Sequence, residues 1–197
     1  MFREDIGPGA IFEAARILNA FRERLGGEAH LTFNPGVILG GTAVEFDDAQ
    51  ARGSAFGKNN VVPEQVTVMG DLRALSADQF DRAKITMQEI VAAALPHTQG
   101  AIVFDDGYPP LAPTDGNRRV LSIYDRASRD LGLGGVAAAD PDLAGAADVS
   151  FVAGDVGMIL DGVGLMGRSD HTPGETADLT TLPSQTKRAA LLLYRLR

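Results

Sequence analysis

The stretch from residue 64 to residue 106 constrains the fold more than any other. Over 64–74, Val66, Val68 and Leu72 alternate with Gln65, Thr67, Asp71 and Arg73, the period-two pattern of a strand with one apolar face. Ser76-Ala-Asp-Gln79 follows as a capping box, and Phe80, Ala83, Met87, Ile90 and Ala94 then recur at helical spacing up to Leu95, before Pro96. A second strand is expected over 100–106. Strand, helix and strand joined this closely call for a sheet with the helix lying across one face.

The residues before this stretch supply more of the same layer. A helix is expected from about Pro8 to Leu25, with Ile11, Ala14, Ala15, Leu18, Phe21 and Leu25 on its apolar face and Gly26-Gly27 as its stop. A strand carrying Leu31, Phe33, Val37 and Leu39 follows, with a kink or bulge at Pro35-Gly36 and an end at Gly40-Gly41. Residues 50–57 read as a weak strand of small residues. The resulting fold class is α+β, with helices on one face of a sheet. A ferredoxin-like unit would want one more strand ahead of the first helix.

Gly107 to Asp115 is a proline-rich boundary, dividing 1–107 from 108–197. The second segment predicts a helix at 117–131, a Gly/Ala-rich loop at 132–144, a short helix at 146–153 and apolar strands near 157–166. A closing helix from Pro183 carries Leu191, Leu192, Leu193 and Leu196. One or two short strands are too few to cover those helices, so this segment is expected to expose apolar surface.

Composition narrows the partners. With 197 residues, 45% of them hydrophobic, the chain has enough apolar mass for a core. A formal net charge of -8 repels phosphate backbones, and no Lys/Arg cluster offsets it, so nucleic acid is not an expected partner. No apolar run approaches the roughly 20 residues of a membrane span, so no membrane partner is expected. The absence of cysteine excludes disulfides and thiolate metal sites. The start has no signal-peptide layout, and the compartment stays open, with the cytoplasm as the default expectation.

Few residues carry chemistry. His171 lies in a polar loop, Gly167 to Asp178, where an imidazole can face a cleft and ligate zinc, or simply be a solvated turn residue. Glu175 and Asp178 are either carboxylates supporting that histidine or turn and cap residues. Arg73, on the polar strand face, can fork onto a substrate carboxylate or pair with Asp71. Asn60 offers an amide to a carboxylate or peptide oxygen, or is an ordinary loop residue. Gly145 can bring backbone close to a ligand, with Asp148 capping the helix that follows, or belong to a plain loop. His30 and His97 carry no assigned role, and no glycine-rich nucleotide loop is present.

Taken in order, these pieces resemble zinc metallopeptidase family twenty: carboxypeptidase G, aminoacylases, desuccinylases and Xaa-His dipeptidases. Gly9 to Leu18 is similar to the first helix of the family's lid, or dimerisation, domain, and Asn34 to Gly41 to its "N-x-G-x-I-x-G-G" strand. Asn60-Val-Val-Pro63 is similar to its "N-V-V/I-P" motif, and Arg73, thirteen residues after Asn60, to its carboxylate-gripping arginine. Gly145 to Asp148 resembles its "G-G-x-D" turn, altered to Gly-Ala-Ala-Asp, and His171 its last zinc-binding histidine.

The resemblance implies a ferredoxin-like lid lacking its first strand over 1–107. It implies the C-terminal part of an α/β zinc-peptidase catalytic domain over 108–197. It further implies a homodimer through the lid, two zinc ions in the complete enzyme, and substrates that are small peptides or N-acyl amino acids. Arg73, Asn60 and Gly145 would bind substrate and His171 would bind metal. The family's His-x-Asp pair and adjacent Glu-Glu pair have no counterpart in this sequence. A co-catalytic pair of zinc ions needs several ligands and a base, so the chain is expected to be inactive alone. It would then be a fragment, one half of a split enzyme completed by a separate N-terminal half, or a non-catalytic dimerisation module.

Overall fold

The computed structural model describes residues 4–143, 145–170 and 172–197. The chain divides into two compact units, Met1–Pro110 and Leu111–Arg197.

The first unit is built from two helices and two small antiparallel sheets. Helix α1 spans Ala10–Leu25, followed by strands β1 (Thr32–Gly41), β2 (Ala43–Asp47), β3 (Arg52–Phe56) and β4 (Gln65–Arg73), then helix α2 (Ala77–Ala92). β1 pairs with β4, and β2 with β3. Along β1–β4, Phe33 lies opposite Leu72 and Ile38 opposite Val68, with a register shift between Pro35 and Val37. That bulge absorbs one residue, so Phe33 and Ile38 stay on the same face despite their odd spacing. The single weak strand expected over 50–57 is the second arm of the β2–β3 hairpin. Its first arm, Ala43–Asp47, was not anticipated, although Val44 and Phe46 alternate there with Glu45 and Asp47.

Phe21 and Leu25 of α1 pack with Leu31 and with Ala83, Met87, Ile90 and Val91 of α2. Phe33 of β1 meets Phe21 edge-on, ring centroids 6.4 Å apart at 84°. Leu72, Ile102 and Phe104 close the cluster. Val91 takes the buried place expected of Ala94, which is exposed beyond the end of α2.

Ser76 Oγ accepts from the Gln79 amide at 3.2 Å, as the capping box requires. The Gln79 side chain accepts from Leu75 N at 2.8 Å and donates to the Ala29 carbonyl at 2.9 Å, which ties the helix start to the turn before β1.

Residues 100–106 correct the sequence expectation: they form no strand. The alternation is present, with Ile102 and Phe104 turned inward and Val103 90% exposed. A strand also needs a ladder partner, and among the described residues none is hydrogen-bonded to this segment's backbone.

The second unit is two helices held by irregular chain. α3 spans Asp115–Asp130, capped by the Thr114 hydroxyl, which accepts from Asn117 N. α4 spans Leu182–Arg195, with proline in its first turn. Between them, Gly167–Arg168 (β5) and Thr176–Ala177 (β6) form a two-residue hairpin ladder. The strands expected near 157–166 are not formed. Gly162 and Gly164 sit at positive φ there, and among the described residues no strand pairs with this segment. The helix expected at 146–153 is a 3-10 turn, Asp148–Val152.

The core of this unit is small: Val120, Tyr124 and Leu192, with Ile123, Val136, Leu160 and Val163 around them. A polar lock supplements it. Arg188 donates to Ser128 Oγ at 2.9 Å and to the Leu133 carbonyl at 2.8 Å, while Ser128 donates to the Gly134 carbonyl at 2.6 Å. Of the four leucines expected to be apolar contacts of the closing helix, Leu192 is buried, whereas Leu193 and Leu196 are exposed.

Candidate functional site

In the first unit the candidate residues lie at the two ends of β4. Asn60 sits in the turn before it, where Val61 N donates to the Lys58 carbonyl at 3.1 Å, and its side chain is exposed. Arg73 is the last residue of the strand. The length of β4, Gln65–Arg73, separates that turn from Arg73, so the structure does not bring the two side chains together.

The Asn60–Pro63 motif has a structural task of its own. Ala10 N donates to the Pro63 carbonyl at 2.9 Å, which fixes the start of α1 on this turn. Gly9, the N-cap, has φ of 80°, and a Cβ there would stand 2.5 Å from Val62 Cγ1. Only glycine combines that backbone with that approach. The motif thereby sets where β4 begins relative to α1. The glycine pair ending β1 serves the same region, since Thr42 N donates to the Phe56 carbonyl at 2.8 Å and a Cβ on Gly41 would strike that oxygen.

Arg73 donates from Nε to Asp71 Oδ2 at 2.6 Å. Both residues point to the polar face, and the Arg73 side chain is 68% exposed. An exposed pair of this kind contributes little to stability. The guanidinium is therefore open to a competing carboxylate, and exchanging one carboxylate for another would cost little.

In the second unit, His171 falls outside the described residues. The hairpin flanking it is described. Met166, Gly167, Arg168, Thr176, Ala177, Asp178 and Leu179 line a hollow of about 550 Å³. Arg168 Nε donates to Thr176 Oγ1 at 3.4 Å across the hairpin. Asp178 is used as a cap. Its carboxylate accepts from Thr180 N at 3.0 Å and from Thr180 Oγ1 at 2.6 Å. Glu175 is exposed on the loop. Gly145 is exposed too, with nothing within 4 Å of where a Cβ would lie. The N-cap of the following turn is Ala147 rather than Asp148, and it makes no side-chain cap bond.

The donor chemistry can be tested against a metal pair. Among the described residues no three His, Cys, Asp or Glu side chains are gathered so as to hold a metal ion. With Asp178 occupied as a cap, the described residues do not by themselves fit a two-zinc centre.

The shifted titrations belong to framework contacts. The Arg16 guanidinium, hydrogen-bonded to Glu13, holds that carboxyl below the usual range; burial pushes it up, and the Leu95 N–H lowers it further. Asp125 is held low by Arg129 and by the Val136 N–H, a contact that anchors the chain leaving α3. Neither group adjoins Arg73, Asn60 or the hairpin in sequence. No helix among the described residues is long and apolar enough to cross a membrane.

Residues 3–99 match the family model of the peptidase dimerisation domain. No curated protein matches the chain. The match lies within the first unit and supports a lid, or dimerisation, domain of family-twenty peptidases there; the mixed helix-and-sheet architecture is consistent with it.

Proposed function

We propose that the first unit is the oligomerising lid of a zinc-dependent amidohydrolase, ferredoxin-like in plan, and that residues 108–197 supply part of its catalytic domain. The observation that carries this reading is the match of residues 3–99 to the peptidase dimerisation domain. The order of the motifs from Asn34 to His171 supports it further. In the assembled enzyme Arg73 would exchange Asp71 for the carboxylate of a small peptide or N-acyl amino acid. Asn60 and Gly145 would bind the same substrate, and His171 would ligate one zinc.

A histidine, aspartate and glutamate set from another polypeptide segment would have to complete the centre, because the donors here do not fit it. Hydrolysis by this chain alone is therefore not expected. The same mismatch favours one second reading, a dimerisation module without chemistry of its own.

Sedimentation velocity over a concentration series tests the oligomerising role. The expected result is a concentration-dependent dimer, and a compact monomer at the highest concentration refutes it. Assaying the purified chain with zinc tests the rest. Zinc-dependent amide hydrolysis that vanishes in His171→Ala would overturn the claim that the centre must be completed from outside.

A further inference from the structure

Three aspartates in the chain are followed directly by glycine: Asp106, Asp115 and Asp161. Such a pair has chemistry of its own. No side chain crowds the glycine amide, so the preceding carboxyl can fold over it and be attacked at Cγ by the glycine nitrogen. The structure treats the three pairs differently.

Asp106 is held. Its carboxylate oxygens accept from Lys84 Nζ at 2.7 and 2.8 Å, and that ammonium also lies 4.9 Å from the Phe80 ring centroid and 5.3 Å from that of Phe104. Asp115 opens α3, so its backbone is fixed as helix, and its Oδ1 accepts from Arg118 Nε at 3.4 Å. Gly116 beside it packs against the Gly157 carbonyl, where a Cβ would not fit. Asp161 has neither restraint. It is exposed and outside any helix or strand, and among the described residues its carboxylate makes no hydrogen bond or ion pair. Gly162 turns through φ of 69°, with nothing within 4 Å of where a Cβ would stand.

We propose that Asp161 is a self-modification site, at which the chain converts its own aspartyl linkage to an isoaspartyl one through a succinimide. The Gly162 nitrogen forms a bond to Asp161 Cγ. One carboxyl oxygen leaves as water, carrying the amide proton and a proton from solvent. Water then opens the ring at either carbonyl, and opening at the α-carbonyl leaves the β-linked isomer. No oxidant, reductant or second enzyme is needed.

The position gives the change a structural effect. Leu160 and Val163, on either side of the pair, pack against Val120, Tyr124 and Leu192. The Val163 carbonyl also accepts from the Tyr124 hydroxyl at 3.4 Å. A β-linkage adds one methylene to the main chain between these two anchors, so both cannot keep their places, and the small core of the second unit loosens. The inference rests on the second unit's own turn and does not depend on the peptidase reading.

The test ages the full chain at neutral pH and physiological temperature, then digests it. Electron-transfer fragmentation separates isoaspartyl from aspartyl peptides. Isoaspartate is expected first at 161, about fivefold ahead of 106, where the carboxylate must leave Lys84 before it can react. A form of the 161 peptide lighter by one water should be trapped at mildly acidic pH. Asp161→Glu should stay unmodified, since its longer side chain would need a six-membered ring. Lys84→Met should raise the rate at 106 and leave that at 161 unchanged. If that variant fails to fold, the comparison of the three sites in the unaltered chain still decides. Conversion at 106 or 115 as fast as at 161 overturns the proposal. So does an unmodified Asp161 under conditions that convert a free peptide spanning 156–167. Aged chain, but not aged Asp161→Glu, should exchange faster at the amides of Val120, Tyr124 and Leu192. Unchanged exchange in fully converted chain overturns the loosening.

Discussion

Glu13 is the residue whose removal should cost the first unit most. It lies in the first turn of α1, is 3% exposed, and takes Arg16 Nη2 at 2.5 Å and Arg16 Nε at 3.1 Å. It also accepts from Leu95 N at 3.1 Å, while Arg16 donates to the Ile90 carbonyl at 2.9 Å. The pair thus staples α1 to the end of α2. Breaking a buried pair by removing one partner costs about 3–5 kcal/mol. Arg16 keeps some contact with solvent and can relax toward water, which lowers the figure, while the stranded Leu95 N–H adds about 1 kcal/mol. Glu13→Ala should therefore lose about 2–4 kcal/mol in denaturant unfolding, followed through amide exchange in α1 and α2. Arg16→Met made on top of it should recover part of the loss, because no buried cation then remains.

The pH dependence has a definite sign. Because the folded-state carboxyl lies below its ordinary value, the stabilisation is complete above the unfolded pKa of about 4.3 and is lost as pH falls through the folded pKa. The stability difference between wild type and Glu13→Gln should be flat near neutrality and shrink in that acid window. A loss under about 0.5 kcal/mol for Glu13→Ala, or a difference that grows on acidification, would refute the staple.

The helices were legible in the sequence because their signals are local. The Ser76–Gln79 box and the Gly26 stop both act within one turn, whereas the Thr114 cap was not read, and α3 begins at Asp115 rather than at the expected 117. The β1–β4 pair was legible as two alternating runs, and even its bulge was marked by Pro35-Gly36. Segment 100–106 shows where local signals stop. A strand was expected there and is not formed: Ile102 and Phe104 do alternate toward the core, but ladder formation depends on a neighbour that no local pattern specifies.

The same limit applies to the candidate site. Arg73 was placed on the polar face of its strand, and its contact with Asp71 was one of the two alternatives the spacing allowed. What local pattern did not reveal was the work of Asn60–Pro63 in seating α1, because the Ala10–Pro63 bond links residues far apart in the chain. Nor did it reveal the Glu13–Leu95 staple, whose partners are separated by 82 positions.

Three further outcomes test the account. Arg73→Lys should change the melting temperature by less than about 2 °C, since an exposed pair contributes under about 1 kcal/mol; a larger drop would make Arg73 a fold residue. Arg188→Met in the second unit should cost about 2–3 kcal/mol, read as faster amide exchange in α3 and α4, because the buried Ser128 hydroxyl and the Leu133 carbonyl lose their shared donor; unchanged exchange would show that the small apolar core suffices. Gly9→Ala should destabilise the first unit by about 1–3 kcal/mol. The backbone there sits at φ of 80°, where an L side chain is strained, and the new methyl would also meet Val62 and the Pro63 carbonyl. The strain cannot be relieved by moving Gly9 alone, because Ala10 N is bonded to that same carbonyl. Relief means drawing the Asn60–Pro63 turn away from α1, so exchange should rise at Ala10 and at Glu64, whose N–H is held by Gly41. A stable Gly9→Ala variant with both amides still protected would show that the turn does not seat the helix.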